Sequence, residues 1–295
     1  MKLENLDKTG IYLENKDLSS WKGKLVMPNP VEQPIVHTFV IMAHKNAPFI
    51  EETIQSLLKQ TYPSNVVLST STPNERILGL AEKYQLEIFV NEPGQGIVAD
   101  WTFALNCAKT PLVTLADQDD VYLPDFARKT VDRVEQNPDA IFCFTHFKEI
   151  GDDRKIRPMN LTMAVKIVLF WPYFIHPVYR SRFFKRLLFR FGEPVCNPSV
   201  TYNMAVIKDH KLFDADYSVS LDWDALLRLA ELPGALCFVR KPMILHGIHT
   251  GTQTSFGITS GKRFEEDLKV LRRLWPNWLA QILARLYSIS YISNH

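Results

Sequence analysis

From Val36 onward, short apolar runs alternate with longer stretches whose apolar residues recur every three or four positions. His37 to Ala43 is a β-rich apolar run, the pattern of a buried strand. Asn46 and Pro48 then mark a helix start, with Glu51 and Glu52 in the first turn and Ile54, Leu57 and Leu58 on one apolar face. The unit repeats as a strand at Val66–Ser69, a turn at Thr72-Pro73-Asn74 and a helical stripe of Ile77, Leu80, Ala81 and Tyr84. A third strand covers Leu86–Val90, followed by the loop Asn91–Gly96 and a helix over Val98–Ala108. A fourth strand, Leu112–Ala116, runs into Asp117-Gln118-Asp119-Asp120, and Pro124 opens a helix through Glu135. Ala140–Thr145 closes the series. Such alternation predicts an α/β fold with a mostly parallel central sheet and helices on both faces. In such sheets ligands bind beyond the carboxyl ends of the strands, where the acidic turn stands.

The second half is less regular. Residues 147–200 mix aromatic and basic side chains, Leu221–Glu231 reads as a helix, Ala235–Val239 as a strand and Lys262–Leu286 as a helical tail. Residues 1–34, with Pro28, Pro30 and Pro34, read as an N-terminal extension. The expected division is therefore a 1–34 extension, a 35–146 half built on the strand–helix series, a less regular 147–261 half and a 262–295 helical tail.

Composition narrows the class. Hydrophobic residues are 46% of the 295 and charged residues 22%, ordinary values for a globular chain, which excludes disorder and fibrous classes. A net charge of +2 gives no case for nucleic acid. Cys107, Cys143, Cys196 and Cys237 form no C-x-x-C pair, so zinc and redox motifs are unsupported and buried thiols in a reducing cytosol are expected. Met1–Gly10 is too polar for a signal peptide, and the apolar stretch Leu161–Ile175, interrupted by Lys166, is too short to span a bilayer. A cytoplasmic protein is expected, with any membrane contact peripheral.

Four segments carry candidate chemistry. Asp117, Asp119 and Asp120 would repel one another without a cation or donor. Mn²⁺ and Mg²⁺ bind through one or two carboxylates plus substrate phosphates, so an Asp-x-Asp turn at a strand end suits a metal–diphosphate clamp. An acidic cap for the following helix is the alternative. Asp222, opening the helix Leu221–Glu231, is either its N-cap or a general base for an acceptor hydroxyl, and one carboxylate can do both. His246–Ser255 combines two histidines, two glycines and four hydroxyls, a composition suited to a phosphate-binding lid. His249 is its candidate metal ligand or diphosphate donor, and Arg263 beyond it is either a phosphate contact or a solvated side chain. Tyr179–Phe191 carries five cations with Phe183, Phe184, Leu187, Leu188 and Phe191 on one helical face. That face either lies on an anionic membrane or packs on the sheet.

These residues resemble glycosyltransferase family 2 with the GT-A fold. The strand Phe39–Ala43 with Asn46, the helix Glu51-Glu-Thr-Ile-Gln-Ser-Leu-Leu-Lys-Gln-Thr61, the segment Asp100–Asn106 and above all Thr114-Leu-Ala-Asp-Gln-Asp-Asp-Val-Tyr-Leu-Pro124 carry the likeness. Segment order, including Cys196–Asn203 and Trp275-Pro276, resembles a bacterial, non-processive subgroup found near surface-polysaccharide genes. The resemblance implies a metal-dependent, inverting transfer of one sugar from a nucleotide-diphosphate donor, a UDP-sugar favoured, to a glycan, lipid-linked or protein-linked acceptor. It implies that Ala43, His44, Ser71, Thr72, Asn74 and Asp100 line the nucleotide site. Asp117 contacts the donor ribose or the metal and Gln118 the donor, Asp119 ligates Mn²⁺ or Mg²⁺ with Asp120 in support and His249 assisting, and Asp222 is the base. Two departures stand out. Ser69–Glu75 replaces the family's Asp-Asp-Gly-Ser turn, and Leu221 replaces the glutamate before the base. The Gln-x-x-Arg-Trp signature of processive synthases is absent from the sequence. A nucleotidyltransferase is disfavoured because Ala43-His-Lys-Asn46 lacks a Gly-rich loop. A non-catalytic nucleotide- or glycan-binding partner of another transferase is the remaining alternative.

Overall fold

The computed structural model describes residues 35–92, 94–248 and 261–289. Strands β1 (His37–Met42), β2 (Asn65–Thr70), β3 (Glu87–Val90) and β4 (Leu112–Asp117) run parallel, joined by α1 (Ile50–Leu58), α2 (Glu75–Tyr84) and α3 (Ile97–Cys107). Phe39, Val40 and Ile41 of β1 are fully buried, as a parallel strand covered on both faces requires. Helix α1 buries Ile50, Thr53, Ile54, Ser56 and Leu57, the spacing of a single apolar face. Helix α2 is capped by the Asn74 side chain, which accepts from Ile77 N, and ends at Gln85 in the left-handed conformation.

The remaining strands are β5 (Val121–Tyr122), β6 (Ala140–Ile150), β7 (Val178–Tyr179), β8 (Val200–Asn203) and β9 (Ala235–Gly247). The helices after α3 are α4 (Phe126–Glu135), α5 (Leu161–Ile175), α6 (Arg182–Leu187), α7 (Met204–Ile207), α8 (Leu221–Leu229), α9 (Lys262–Arg272) and α10 (Asn277–Ile289). The sheet order is β3-β2-β1-β4-β8-β6-β9-β5, with β7 beside β9. Strand order reverses between β1 and β4, so their carboxyl ends border the crevice where such sheets bind ligands.

Three features differ from the sequence reading. Strand β8 enters antiparallel between β4 and β6, so the sheet is mixed beyond its first four strands. Strand β9 extends through His246 and Gly247, because its second half pairs with β6, which runs on to Ile150. The tail breaks at Pro276 into α9 and α10, since proline cannot donate to a continuing helix.

Residues 179–191 do not form one amphipathic helix. Only Arg182–Leu187 is helical; Leu188 is buried, while Phe183, Phe184 and Phe191 are exposed. Lys185 is buried and donates to the carbonyls of Leu232 and Gly234, and Arg180 is paired with Asp139. The cations thus serve the fold, not one shared face. No described helix is long and apolar enough to cross a membrane.

Candidate active site

A cleft of about 1310 Å³ opens at the carboxyl ends of β1, β2 and β4 and is lined by Ala43, His44, Ser71, Asp117, Asp119 and Asp222 among others. Two hydrogen bonds shape its entrance. His44 N donates to Gln118 Oε1 at 2.7 Å, tying the end of β1 to the acidic turn. Lys45, with φ at 53°, donates its amide to Thr72 Oγ1 at 2.7 Å. Asp100, in the first turn of α3, accepts from Ser71 Oγ at 2.8 Å and from Asn91 Nδ2 at 2.9 Å. The expected nucleotide residues Ala43, His44, Ser71, Thr72, Asp100, Asp117 and Gln118 all line this space. Asn74 is instead committed as the cap of α2, with Nδ2 on Lys45 O at 3.0 Å, and stiffens the turn from outside the cleft.

The acidic turn divides its carboxylates. Asp117 and Asp119 face the cleft. Asp120, expected beside Asp119 as a metal ligand, is fully buried and outside the cleft lining. Its Oδ1 accepts from His246 Nδ1 and Gly247 N, both at 2.9 Å, so it ties β9 to the turn. A carboxylate in that position needs a cation, which sits on His246: burial opposes protonation, but Asp120 pushes the imidazole up to about 9. His246 is therefore the charged histidine of the cleft. His249 lies outside the described residues. Gly247 is required by proximity, since a Cβ there would stand 2.7 Å from the Asp119 carbonyl oxygen. Arg154 donates to that same oxygen at 3.0 Å.

Asp117 remains under-compensated. Burial, then the charges of Asp120 and Asp119, hold its carboxyl well above the usual range, with His246 pulling the other way. Among the described residues no group of three His, Cys, Asp or Glu side chains forms a metal cage. Asp117 and Asp119, both lining the cleft, offer the oxygen ligands that a hard divalent cation takes while completing its shell with phosphate oxygens and water.

Asp222, which lines the same cleft, is in the first turn of α8, where an anion is stabilised by the helix N-terminus. It is not the N-cap, a position held by Ser220. Helix α9 fixes this segment. Glu266 accepts from the amides of Ser218, Val219 and Ser220 at 2.7 to 3.0 Å, and Asp267 accepts from Ser220 Oγ at 2.6 Å. Burial opposes ionisation of Glu266, but those amides bring its carboxyl below the usual value. Arg263 is 8% exposed and engages Glu193 Oε2 at 2.9 Å and Asp267 at 3.2 Å, so its charge is committed to carboxylates and not left for a phosphate. Glu193, Glu266 and Asp267 carry no local sequence signal of this role. In an amphipathic helix, Glu266-Asp267 has the pattern of a solvated face.

Residues 38–205 match glycosyl transferase family 2. A glycosyltransferase of Haemophilus influenzae, described as uncharacterized, is 24% identical over 267 residues, covering 88% of this chain and 79% of its own. The fold is similar to that of S. aureus TarS 1-349 solved with UDP-GlcNAc, with TM-score 0.58, 16% identity and coverage of 88% and 72%. The chain spans 39% of the longer TarS structure. It is likewise similar to the mannosyltransferase PcManGT of Pyrobaculum calidifontis, solved with GDP-Man and Mn²⁺, with TM-score 0.58, 14% identity and coverage of 92% and 79%. With a family match over more than half its length and a GT-A sheet whose crevice holds the acidic turn, the chain belongs to glycosyl transferase family 2 and is a glycosyltransferase.

Proposed function

We propose that this enzyme moves one sugar, with inversion, from a nucleoside-diphosphate donor to a hydroxyl of a glycan, lipid-linked or protein-linked acceptor in bacterial surface-glycan synthesis. The observation that carries this is a single cleft lined by Asp117 and Asp119 from the acidic turn and by Asp222 from the first turn of a helix. Residues 35–146 form the donor half and 147–261 the acceptor half. Ala43, His44, Ser71 and Thr72 border the nucleoside, and Asp100 orients Ser71. The family resemblance favours a UDP-sugar as donor; of the neighbours with this fold, one was solved with UDP-GlcNAc and one with GDP-Man.

Asp119 with Asp117 would hold Mn²⁺ or Mg²⁺, which when bound supplies positive charge against the departing diphosphate. Cationic His246 adds a donor in the same cleft. Asp222 takes the proton of the acceptor hydroxyl as that oxygen attacks the anomeric carbon from the face opposite the leaving group. The enzyme acts in the cytoplasm.

A thermal-shift panel of UDP, dTDP, GDP and CDP, each with and without Mn²⁺, tests the donor site on wild type and Asp119→Ala. Ligand at a hundred times its Kd adds about 2.7 kcal/mol, or roughly 5–10 °C in Tm for a domain of this size. The expected result is a metal-dependent shift with one nucleotide that the substitution removes. No shift with any nucleotide would refute the donor site and leave the binding-partner reading in its place.

A further inference from the structure

Glu193 is a buried titratable group for which the reaction above has no use. It follows α6 in the turn Gly192-Glu193-Pro194, is 6% exposed, and lines the same cleft as Asp222. A Cβ on Gly192 would lie 2.6 Å from the Tyr287 ring, and Glu193 N donates to Tyr287 Oη at 3.2 Å. The backbone that carries Glu193 is thus pressed against α10. Its Oε2 accepts from Arg263 Nη2 at 2.9 Å. Its Oε1 is buried and meets no donor among the described residues. The group that this carboxyl does reach is the Asp222 carboxyl.

Two facing carboxylates repel, and a hydrogen bond between them exists only when one holds a proton. Arg263 cannot cancel the charge, because Asp267 shares it. The charged and titratable groups around Glu193 are Asp222 on α8, Arg263 and Asp267 on α9 and Tyr287 on α10. Burial, then Asp222, hold the Glu193 carboxyl well above the usual range, with Arg263 opposing. Glu193 is the more deeply buried partner, and Asp222 already accepts Trp223 N at 3.0 Å, so the shared proton is placed on Glu193.

We propose that Glu193 is a positioning residue: it keeps its proton and donates it as a hydrogen bond to Asp222, which fixes that carboxylate with an oxygen toward the acceptor hydroxyl. This rests on Asp222 being the base. During transfer the acceptor proton passes to Asp222, and the Glu193 proton stays where it is.

Difference infrared spectroscopy on the full chain reads the proton without any substrate. Wild type at neutral pH should show the carbonyl stretch of a protonated carboxyl that is missing from Glu193→Gln. In Asp222→Asn it should shift in frequency, because burial still keeps the proton on Glu193 while the carboxylate that accepts its hydrogen bond is replaced by an amide. A wild-type spectrum identical to that of Glu193→Gln in this region would overturn the proposal. In turnover, read as nucleoside diphosphate release from the nucleotide sugar that gives the fastest rate, Glu193→Gln should stay within a few-fold of wild type, since its amide donates as the acid did. Glu193→Leu should lose about a hundred-fold in kcat, the scale of a misplaced reacting group, with nucleotide Kd unchanged. Equal kcat in the Gln and Leu variants would also overturn it. If Glu193→Leu does not fold, the infrared comparison still decides. Full turnover in Asp222→Asn together with the expected band changes would remove the base assignment, and the positioning role with it, while leaving the carboxyl pair intact.

Discussion

Replacing His37 with glutamine should flatten a pH dependence that burial builds into the sheet. His37 begins β1, is fully buried, and spans two hydroxyls: Ser64 Oγ on Nδ1 and Thr114 Oγ1 on Nε2, each at 3.0 Å. Thr114 Oγ1 continues to Thr201 Oγ1 at 2.8 Å, so the imidazole ties β1 to β4 and through it to β8. Burial lowers its pKa from 6.5 to about 3. A histidine depressed in the folded state stays neutral there and takes its proton on unfolding. The stability it protects is complete above 6.5 and drains as pH falls from 6.5 toward 3. Each unit is worth about 1.4 kcal/mol, so moving from pH 7 to pH 5 should cost about 2 kcal/mol. That is roughly 4–8 °C in Tm for a domain of this size. Glutamine can bond both hydroxyls and has no titration in this range. The assay is thermal unfolding by circular dichroism at pH 7, 6 and 5 on both proteins. Other groups titrate equally in the two, so the difference between the curves isolates His37. Parallel curves from pH 7 to 5 would refute the reasoning, because His37 would then not be the proton acceptor released by unfolding.

Asp222→Asn should lower kcat by about 10²- to 10⁴-fold while leaving the nucleotide shift in the thermal panel unchanged, and a rate within a few-fold of wild type would remove Asp222 as base. Gly247→Ala places a methyl against the Asp119 carbonyl. It should weaken the Mn²⁺-dependent nucleotide shift more than it lowers the Tm of the free protein, and an unaltered shift measured by titration would show that the turn tolerates the displacement. Glu266→Gln keeps the shape but loses the charge that three backbone amides address. It should cost about 1–3 kcal/mol in urea unfolding at pH 7. Because the folded pKa is depressed, that loss should fade as pH falls through 4.5 and below.

The first half of the fold and the position of the acidic turn are legible from local patterns along the chain. The runs at His37–Ala43, Val66–Ser69 and Leu112–Ala116 are strands because apolar β-rich segments bounded by turn residues have one good way to bury themselves. The turn at 117–120 sits at a strand end because strand and turn are neighbours in the chain. Residue spacing also placed Asp222 at the start of a helix. None of these needs information from more than about a dozen residues away.

Tertiary structure decided how the acidic residues share their work. Asp119 and Asp120 are adjacent and alike in sequence, yet Asp120 is taken by His246 and Gly247, 126 and 127 residues further along the chain. Strand β9 reaches those residues only because β6 runs beside it to Ile150, and a glycine-containing polar segment carries no local strand signal. Strand β8 is four residues long, and its place between β4 and β6 is set by both neighbours. Arg263, Glu193 and Asp267 look like solvated charges along the chain. They become a buried cluster behind Asp222 because α9 and α10 pack where the cleft closes. A local pattern can show that a charge is present. Whether it faces substrate, another charge or water depends on burial and partners, and long-range contacts fix both.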